Sequence, residues 1–326
     1  MRSYFTILFG LLTALAASPA SGPSDAWSQV SSTVVKRAGP SSVVRVASDG
    51  SVADTLYTSE AVSVNYLTVS PSGRFLGLLE TTDLTSRSHR LVLLDASGDV
   101  RHVVPHDARR YVWCCGGEQL AVITGHYRED PLGYTPTGAY LIDVLTGIER
   151  RLGVPEGVYE VTWASFDGAL YFKTLPPVSK VIRYDPGTGT SRSTDYLDFA
   201  FSASGAYYLQ YIGDPALGRH GWHIYERATG REVPLPDASL GAIEGWVFDE
   251  GDYLQLKRVR YPARQDMMRG PEVIDGYTIY DVARGTVAAR IQDSIRTDVV
   301  APAGILVLAG DGVLKLVRGP SEIARE

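Results

Sequence analysis

Hydrophobic and polar positions along the chain form a repeating pattern of short apolar strands separated by tight polar turns. Its clearest example is the phrase Ser70-Pro-Ser-Gly-Arg-Phe-Leu-Gly-Leu-Leu79, which follows an apolar run at 62–69. Residues 70–73 have the composition of a turn, so the stretch predicts a β-hairpin. Five further stretches repeat the phrase with more divergence: 114–122, 164–172, 202–209, 248–256 and 301–308.

A second kind of hairpin follows most of these stretches. In it, an apolar strand ends in an acidic residue, crosses a turn to glycine and returns, as at 92–100, 140–147, 182–189, 224–230 and 279–285. Asp and Gly suit such a turn because Asp bonds to the turn backbone and Gly accepts a positive φ. The turn glycines 98, 147, 189, 230 and 285 are 49, 42, 41 and 55 residues apart, about the length of a four-stranded propeller blade.

The two hairpins together predict six units of four antiparallel strands, an all-β six-bladed propeller. The stretch 43–50 is a second hairpin without its first, and 299–308 is a first hairpin without a full second. Joining these ends closes the ring by strand exchange, which leaves no open sheet edge. A further strand is expected at 312–318. A β-sandwich or a β-helix is the alternative, but a sandwich needs no such repeat and a β-helix repeat is much shorter.

The phrase at 70–77 resembles the Ser-Pro-Asp-Gly-Arg-x-Leu-Ala motif of the WD40-like repeats in TolB-type periplasmic propellers. The turn at 184–189, Tyr-Asp-Pro-Gly-Thr-Gly, is similar to turns of the same broad superfamily. Ser72 stands where that family has Asp. The resemblance covers about residues 41–319 and implies a propeller that acts as an interaction module of the bacterial envelope.

Composition and the N-terminus add a cellular context. The hydrophobic fraction of 44% and a net charge of −6 without a basic stripe fit a globular protein with no nucleic-acid partner. Arg2 precedes an apolar run at 4–17 that ends in small residues, which predicts a signal peptide at 1–20 and a periplasmic or secreted protein. A linker at 21–40, with one strand at 32–36, and a tail at 320–326 would flank the propeller at 41–319.

The only two cysteines, Cys114 and Cys115, are adjacent. Adjacent cysteines close a strained ring when they form a disulfide, so two small buried thiols are expected instead.

Long connections between second and third strands make one end of the predicted propeller elaborate. We call this end the loop face, and the opposite end, with its tight hairpin turns, the turn face. Loops on a rigid scaffold are where binding residues concentrate. Arg, Tyr and Met are enriched at protein interfaces. The partner-binding residues predicted on the two longest loops are His126, Tyr127, Arg128, Tyr134, Arg258, Arg260, Tyr261, Arg264, Met267, Met268 and Arg269.

Polar residues at the starts of inner strands are expected at the mouth of the central channel. They are Arg110, Tyr159, Asp198, Glu244, Arg296 and Asp298. A metal site at His220 and His223 would need a third ligand such as His126 or Asp214, and His102 and His106 near Asp107 form a weaker candidate. Ordinary loop and strand histidines are the simpler interpretation, so no metal and no cofactor is predicted.

The sequence lacks a Gly-x-Ser-x-Gly motif, a P-loop, a His-Glu-x-x-His motif and an EF-hand loop. The main hypothesis is therefore an exported, non-enzymatic interaction module. It would bind another envelope protein or membrane complex through the loop face, with peripheral contact to the membrane surface. The alternative is a metal-dependent small-molecule enzyme of the lactonase or lyase kind, with its site at the channel mouth.

Overall fold

Among the described residues of the computed structural model, twenty-seven short β-strands make up almost all of the regular structure. The model describes residues 34–83, 88–126, 135–175, 179–196, 200–214, 219–260, 273–292, 294–296, 298–302, 304–310 and 313–323. The predicted signal peptide lies outside these ranges. Helical structure in the described residues amounts to a 3-10 turn at Ala238–Leu240 and a short helix at Pro320–Ile323. No helix among the described residues is long and apolar enough to span a bilayer.

Six four-stranded antiparallel sheets are the blades of a β-propeller, which confirms the predicted fold class. In blades 2 to 6, consecutive strands pair in chain order from the inner strand outward. Blade 2 contains β4 (Ser63–Val69), β5 (Phe75–Asp83), β6 (Ser88–Asp95) and β7 (Val100–Val103). Blade 3 contains β8 (Ala108–Cys114), β9 (Gln119–His126), β10 (Thr135–Asp143) and β11 (Glu149–Arg151).

The next three blades follow the same order. Blade 4 contains β12 (Val158–Ala164), β13 (Ala169–Thr174), β14 (Val181–Asp185) and β15 (Thr190–Ser193). Blade 5 contains β16 (Ala200–Phe201), β17 (Tyr207–Asp214), β18 (Arg219–Glu226) and β19 (Glu232–Val233). Blade 6 contains β20 (Ala242–Val247), β21 (Tyr253–Arg260), β22 (Val273–Asp281) and β23 (Thr286–Ile291).

Blade 1 combines the two ends of the chain, as the strand-exchange prediction requires. It contains β1 (Val35–Ala38), β2 (Ser42–Val46), β3 (Val52–Thr58) and the late strand β25 (Val299–Val300). Strand β25 pairs with β1 through Val35↔Val300 and Lys36↔Val299. The ring is therefore closed by a strand from the C-terminal end inside the N-terminal blade.

A seventh, three-stranded sheet lies between blade 6 and blade 1. It contains β24 (Ser294–Ile295), β26 (Leu306–Gly310) and β27 (Val313–Val317), the last of which is the strand expected at 312–318. The predicted hairpin at 299–308 is wrong. Strand β26 pairs with β24 and β27, while β25 turns away to pair with β1, because the edge of β1 offers unpaired backbone groups to it.

The repeated turns explain the repeated residues. Ser70 is fully buried, and its Oγ accepts a hydrogen bond from Phe75 N at 3.1 Å. The equivalent Ser202 accepts one from Tyr207 N at 3.1 Å. In the second hairpin of blade 4, Asp185 Oδ1 accepts hydrogen bonds from the turn backbone, and Gly189 closes the turn at a φ of 71°. The phrases noticed in the sequence are therefore turn-forming units of each blade.

Hydrophobic clusters join each sheet to the next around the whole ring. Blades 2 and 3, for example, share a cluster that contains Leu91, Leu93, Tyr111 and Val122. The three-stranded sheet joins the ring on both sides, since Leu308 packs with blade 6 and Val307 packs with blade 1. The middle strands of a blade are covered on both faces by the neighbouring blades, which is why apolar runs such as Leu91 to Leu94 are continuous and fully buried.

Candidate functional site

The second and third strands of several blades extend beyond their neighbours on the loop face. In blade 6, the inner strand begins at Ala242, opposite Lys257. Pairing between β21 and β22 continues beyond this level through Arg258↔Gly276 to Arg260↔Val273. The extra pairs form a two-stranded ribbon that projects from the blade, as the predicted loop asymmetry requires.

Blade 5 carries a longer ribbon. Among the described residues, its inner strand begins at Ala200, opposite Leu209, while β17 and β18 stay paired from Gln210↔His223 to Asp214↔Arg219. Tyr211 and Trp222 form a cross-strand aromatic pair on this ribbon, with ring centroids 5.3 Å apart and Tyr211 48% exposed. The ribbon therefore presents aromatic surface at the loop face.

Three of the predicted partner-binding residues, His126, Arg258 and Arg260, lie in the described part of the chain. His126 is exposed at the end of β9, opposite Thr135, and Arg258 and Arg260 lie on the ribbon of blade 6. Arg258 is half-buried, and its NH2 donates a hydrogen bond to Asp275 O at 3.3 Å. The other predicted partner-binding residues lie outside the described residues, namely Tyr127, Arg128, Tyr134, Tyr261, Arg264, Met267, Met268 and Arg269.

Four inner strands carry a β-bulge at the same level, close to where each strand begins at the loop face. The register shifts leave Asn65, Arg109, Tyr159 and Glu244 as the extra residues in blades 2, 3, 4 and 6. A bulge bends a strand and redirects a side chain, and bulges are common at barrel rims and beside binding sites. Two of the predicted channel-mouth residues, Tyr159 and Glu244, are therefore bulge residues.

In blade 3 the bulge residue is Arg109, while the predicted Arg110 is its exposed neighbour. The Arg109 side chain is 7% exposed and binds Asp107 Oδ2 at 2.7 Å and Gly125 O at 3.0 Å. Asp107 Oδ1 also accepts a hydrogen bond from His89 N of blade 2 at 2.8 Å. This network connects two blades at the rim, and sequence reasoning missed it because it depends on three segments that are distant in the chain.

Two other predicted channel-mouth residues, Arg296 and Asp298, form an ion pair with each other. Arg296 donates two hydrogen bonds to Asp298, at 2.7 and 2.6 Å. These bonds and the charge of Arg296 lower the pKa of the Asp298 carboxyl below its ordinary value. Glu244 is exposed, with its Oε1 4.0 Å from Lys257 Nζ. Asp198 lies outside the described residues.

A fully buried carboxylate, Glu80, lies between blades 1 and 2 at the end of β5. It accepts two hydrogen bonds from Arg90, at 2.8 and 2.5 Å, and one from Tyr57 OH of blade 1 at 2.8 Å. Burial and the hydrogen bond to Glu80 raise the pKa of Tyr57 to about 12. The only sequence signal for this group is a Glu inside an otherwise apolar strand.

Three of the histidines contact carboxylates. His223 Nδ1 lies 2.7 Å from Glu232 Oε1, and His102 and His106 contact the two oxygens of Glu149 at 3.0 and 3.3 Å. No three His, Cys, Asp or Glu side chains converge as metal ligands in the described part of the chain. The side chains of His220 and Asp214 lie outside that part.

No family model and no curated protein matches the chain. Solved structures do match it. An oligogalacturonate lyase in complex with manganese is 14% identical, with a TM-score of 0.52, over 88% of this chain and 86% of that chain. The dihydro-heme d1 dehydrogenase NirN in complex with DHE is 15% identical, with a TM-score of 0.50, over 87% of this chain and 71% of that chain.

TolB from Acinetobacter baumannii is 14% identical, with a TM-score of 0.45, and the match covers 82% of this chain and 65% of that chain. At these identities, the two structures with TM-scores of 0.50 and 0.52 show that the chain has a β-propeller fold and show nothing about its function. The chain is therefore a β-propeller, the fold that its repeats predict, and its fold is similar to that of solved propellers.

Proposed function

We propose that the chain is an exported, non-enzymatic interaction module that docks on another envelope protein or membrane complex through its loop face. The observation that carries this proposal is the pair of ribbons on blades 5 and 6, which extend at the loop face past the described parts of their inner strands. A β-ribbon holds contact side chains on paired backbone, which lowers the entropy lost on binding.

The chemistry of the ribbons supports a protein partner. The aromatic pair Tyr211 and Trp222 lies on one ribbon, and Arg258 and Arg260 lie on the other. Tyr, Trp and Arg are the residue types that contribute most binding energy at protein interfaces. The apolar run at 4–17 supports export, and with it a partner in the bacterial envelope.

The test is capture of partners from bacterial envelopes with the full chain and with a shortened ribbon. Replacing residues 259–274 by a two-residue turn keeps the Arg258↔Gly276 pair and removes the tip. The matched control changes the exposed turn-face residues Leu145 and Ile148 to Ser. We expect the shortened variant to lose the captured proteins and the control to keep them. Capture that is unaffected by ribbon shortening, or no enrichment over an unrelated propeller, would contradict the proposal.

A second candidate function is ligand or metal chemistry at the channel mouth, and the four aligned bulges favour it. They redirect Asn65, Tyr159 and Glu244 at one level of the inner strands. Thermal unfolding of the purified chain with and without Ca²⁺, Mn²⁺ or Zn²⁺ tests this candidate. A rise in the unfolding temperature that Glu244→Gln abolishes supports it, and no rise with any of the three ions contradicts it.

A further inference from the structure

Two adjacent thiols lie on the turn face between blades 3 and 4, away from the proposed docking surface. Cys114 ends β8 and is buried, which agrees with the sequence prediction, and neither cysteine forms a disulfide. Cys115 follows in the turn with a φ of 54° and is partly exposed, so the expectation of two buried thiols is wrong for this residue. Cys115 packs against the edge of the hydrophobic cluster that contains Cys114.

Cys115 borders a groove of about 530 Å³ between the two blades. Leu141, Ile148 and Arg150 of blade 3 form one side, and the turn that contains Pro186 of blade 4 forms the other. Arg150 NH2 donates a hydrogen bond to Pro186 O at 3.0 Å, so its guanidinium is held across the groove beside the thiol. A groove of this size accommodates a small molecule of several tens of atoms.

The surroundings of the two sulfurs make one thiol more reactive than the other. A hydrogen bond from the Cys114 thiol lowers the pKa of Cys115, burial opposes the shift, and the charge of Arg150 lowers it further. The same hydrogen bond and burial raise the pKa of Cys114. Since the thiolate is the nucleophile, Cys115 is the reactive sulfur and Cys114 is its hydrogen-bond donor.

We propose that Cys115 is a thiol-modification site, at which a small anionic disulfide held in the groove by Arg150 forms a mixed disulfide with the protein. The Cys115 thiolate attacks one sulfur of the ligand. A new S–S bond forms, the ligand's S–S bond breaks, and the second half of the ligand leaves as a thiolate with the bonding electron pair. Cys115 is oxidised, one half of the ligand is reduced, and Cys114 keeps its proton.

Arg150 is the reason for an anionic ligand. It is exposed at the groove, and its guanidinium is a fixed donor for a carboxylate. Asp143 also borders the groove, but its Oδ1 already accepts hydrogen bonds from Thr146 N and Thr146 Oγ1, each at 2.9 Å. Oxidised glutathione, which carries several carboxylates, is the type of ligand that fits this arrangement.

The test measures the rate of thiol modification between pH 5 and 9 with two probes. One is oxidised glutathione, an anionic disulfide, and the other is the cationic disulfide cystamine; both release an aliphatic thiolate, so their difference in charge is what the comparison tests. We expect one fast-reacting thiol per folded chain, located at Cys115 by peptide mass mapping, and a faster reaction with the anionic probe. Cys115→Ser should remove the fast phase.

Four further variants separate a specific site from simple exposure. Arg150→Gln should slow the reaction with oxidised glutathione at pH 6 by about threefold for each pKa unit that Cys115 regains, because the loss of thiolate outweighs its higher nucleophilicity, while Arg150→Lys keeps the charge and most of the rate. Cys114→Ala should slow it in the same way, and Cys114→Ser, which retains a donor, should restore it. Thermal unfolding of each variant checks that it is folded.

Three results would overturn the proposal. They are equal rates with the anionic and the cationic probe, a rate that Arg150→Gln leaves unchanged, and labelling that occurs only in denaturant. The first two would show that Arg150 does not recruit the ligand. The third would show that the Cys115 thiol is inaccessible to the ligand in the folded chain.

Discussion

Replacing the buried carboxylate Glu80 by glutamine should destabilise the junction between blades 1 and 2. Glu80 is fully buried and accepts hydrogen bonds from Arg90 Nε and NH2 and from Tyr57 OH. Glutamine has nearly the same shape but no charge, and its NH2 group turns a donor toward groups that already donate. The substitution therefore removes the negative charge that compensates the guanidinium and leaves at least one hydrogen bond unmade.

The magnitude follows from burial. Removing one partner of a buried ion pair costs about 3–5 kcal/mol. The Arg90 side chain is 40% exposed and can regain water, so we expect a value near the lower limit, about 3 kcal/mol. The matched control is Glu118→Gln, which removes the partner of Arg74 in a surface pair whose side chains are 59% and 31% exposed. Surface pairs of this kind contribute about 0–1 kcal/mol.

Urea unfolding followed by tryptophan fluorescence measures both variants against the wild type. We expect a large loss of unfolding free energy for Glu80→Gln and a small one for Glu118→Gln. If the two variants differ by less than about 0.5 kcal/mol, burial does not strengthen this contact, and the argument for an interblade carboxylate is refuted.

Tyr57, at the same site, should make the free energy of unfolding depend on pH in the alkaline range. Its pKa of about 12 in the folded chain lies above the ordinary value of 10, so the folded state favours the neutral phenol. The resulting stabilisation is fully present below pH 10 and is lost as the pH rises toward 12. The other tyrosines contribute equally to wild type and Tyr57→Phe. The difference in stability between these two proteins should therefore shrink from pH 10 to 12, and a constant difference would contradict the assignment.

Two further predictions concern ring closure and blade packing. Lys36→Cys with Val299→Cys, in a background without the native cysteines, should form a disulfide across the β1–β25 seam. It should stabilise the ring by about 2–4 kcal/mol until a reductant is added, as urea unfolding with and without dithiothreitol would show. Gly98→Ala should destabilise the chain by about 1–3 kcal/mol more than Gly116→Ala in the same assay. Both glycines have positive φ, but a Cβ at Gly98 would lie 2.2 Å from Leu56 O of the neighbouring blade, while Gly116 faces open space.

The repeat was readable from sequence because turns are local. The contacts of Ser70 and Asp185 join residues at most five positions apart, so each copy carries its whole turn signal in one phrase. Strand exchange was also predictable, because incomplete units at both ends imply a shared blade. The hairpin at 299–308 was wrongly predicted, since the choice of β25 between β26 and β1 depends on an edge about 260 residues earlier in the chain.

The candidate sites, like the fold, were predictable from the sequence only in part. The sequence by itself determined the propeller, its blade length and its two unequal faces, because strand periodicity and turn chemistry act over a few residues. Only the tertiary structure decided that Glu80 joins two blades, that Arg109 rather than Arg110 occupies the bulge of blade 3, and that Cys115 opens to a groove beside Arg150. Each of these depends on contacts between segments that meet only when neighbouring blades pack, and no local pattern encodes such contacts.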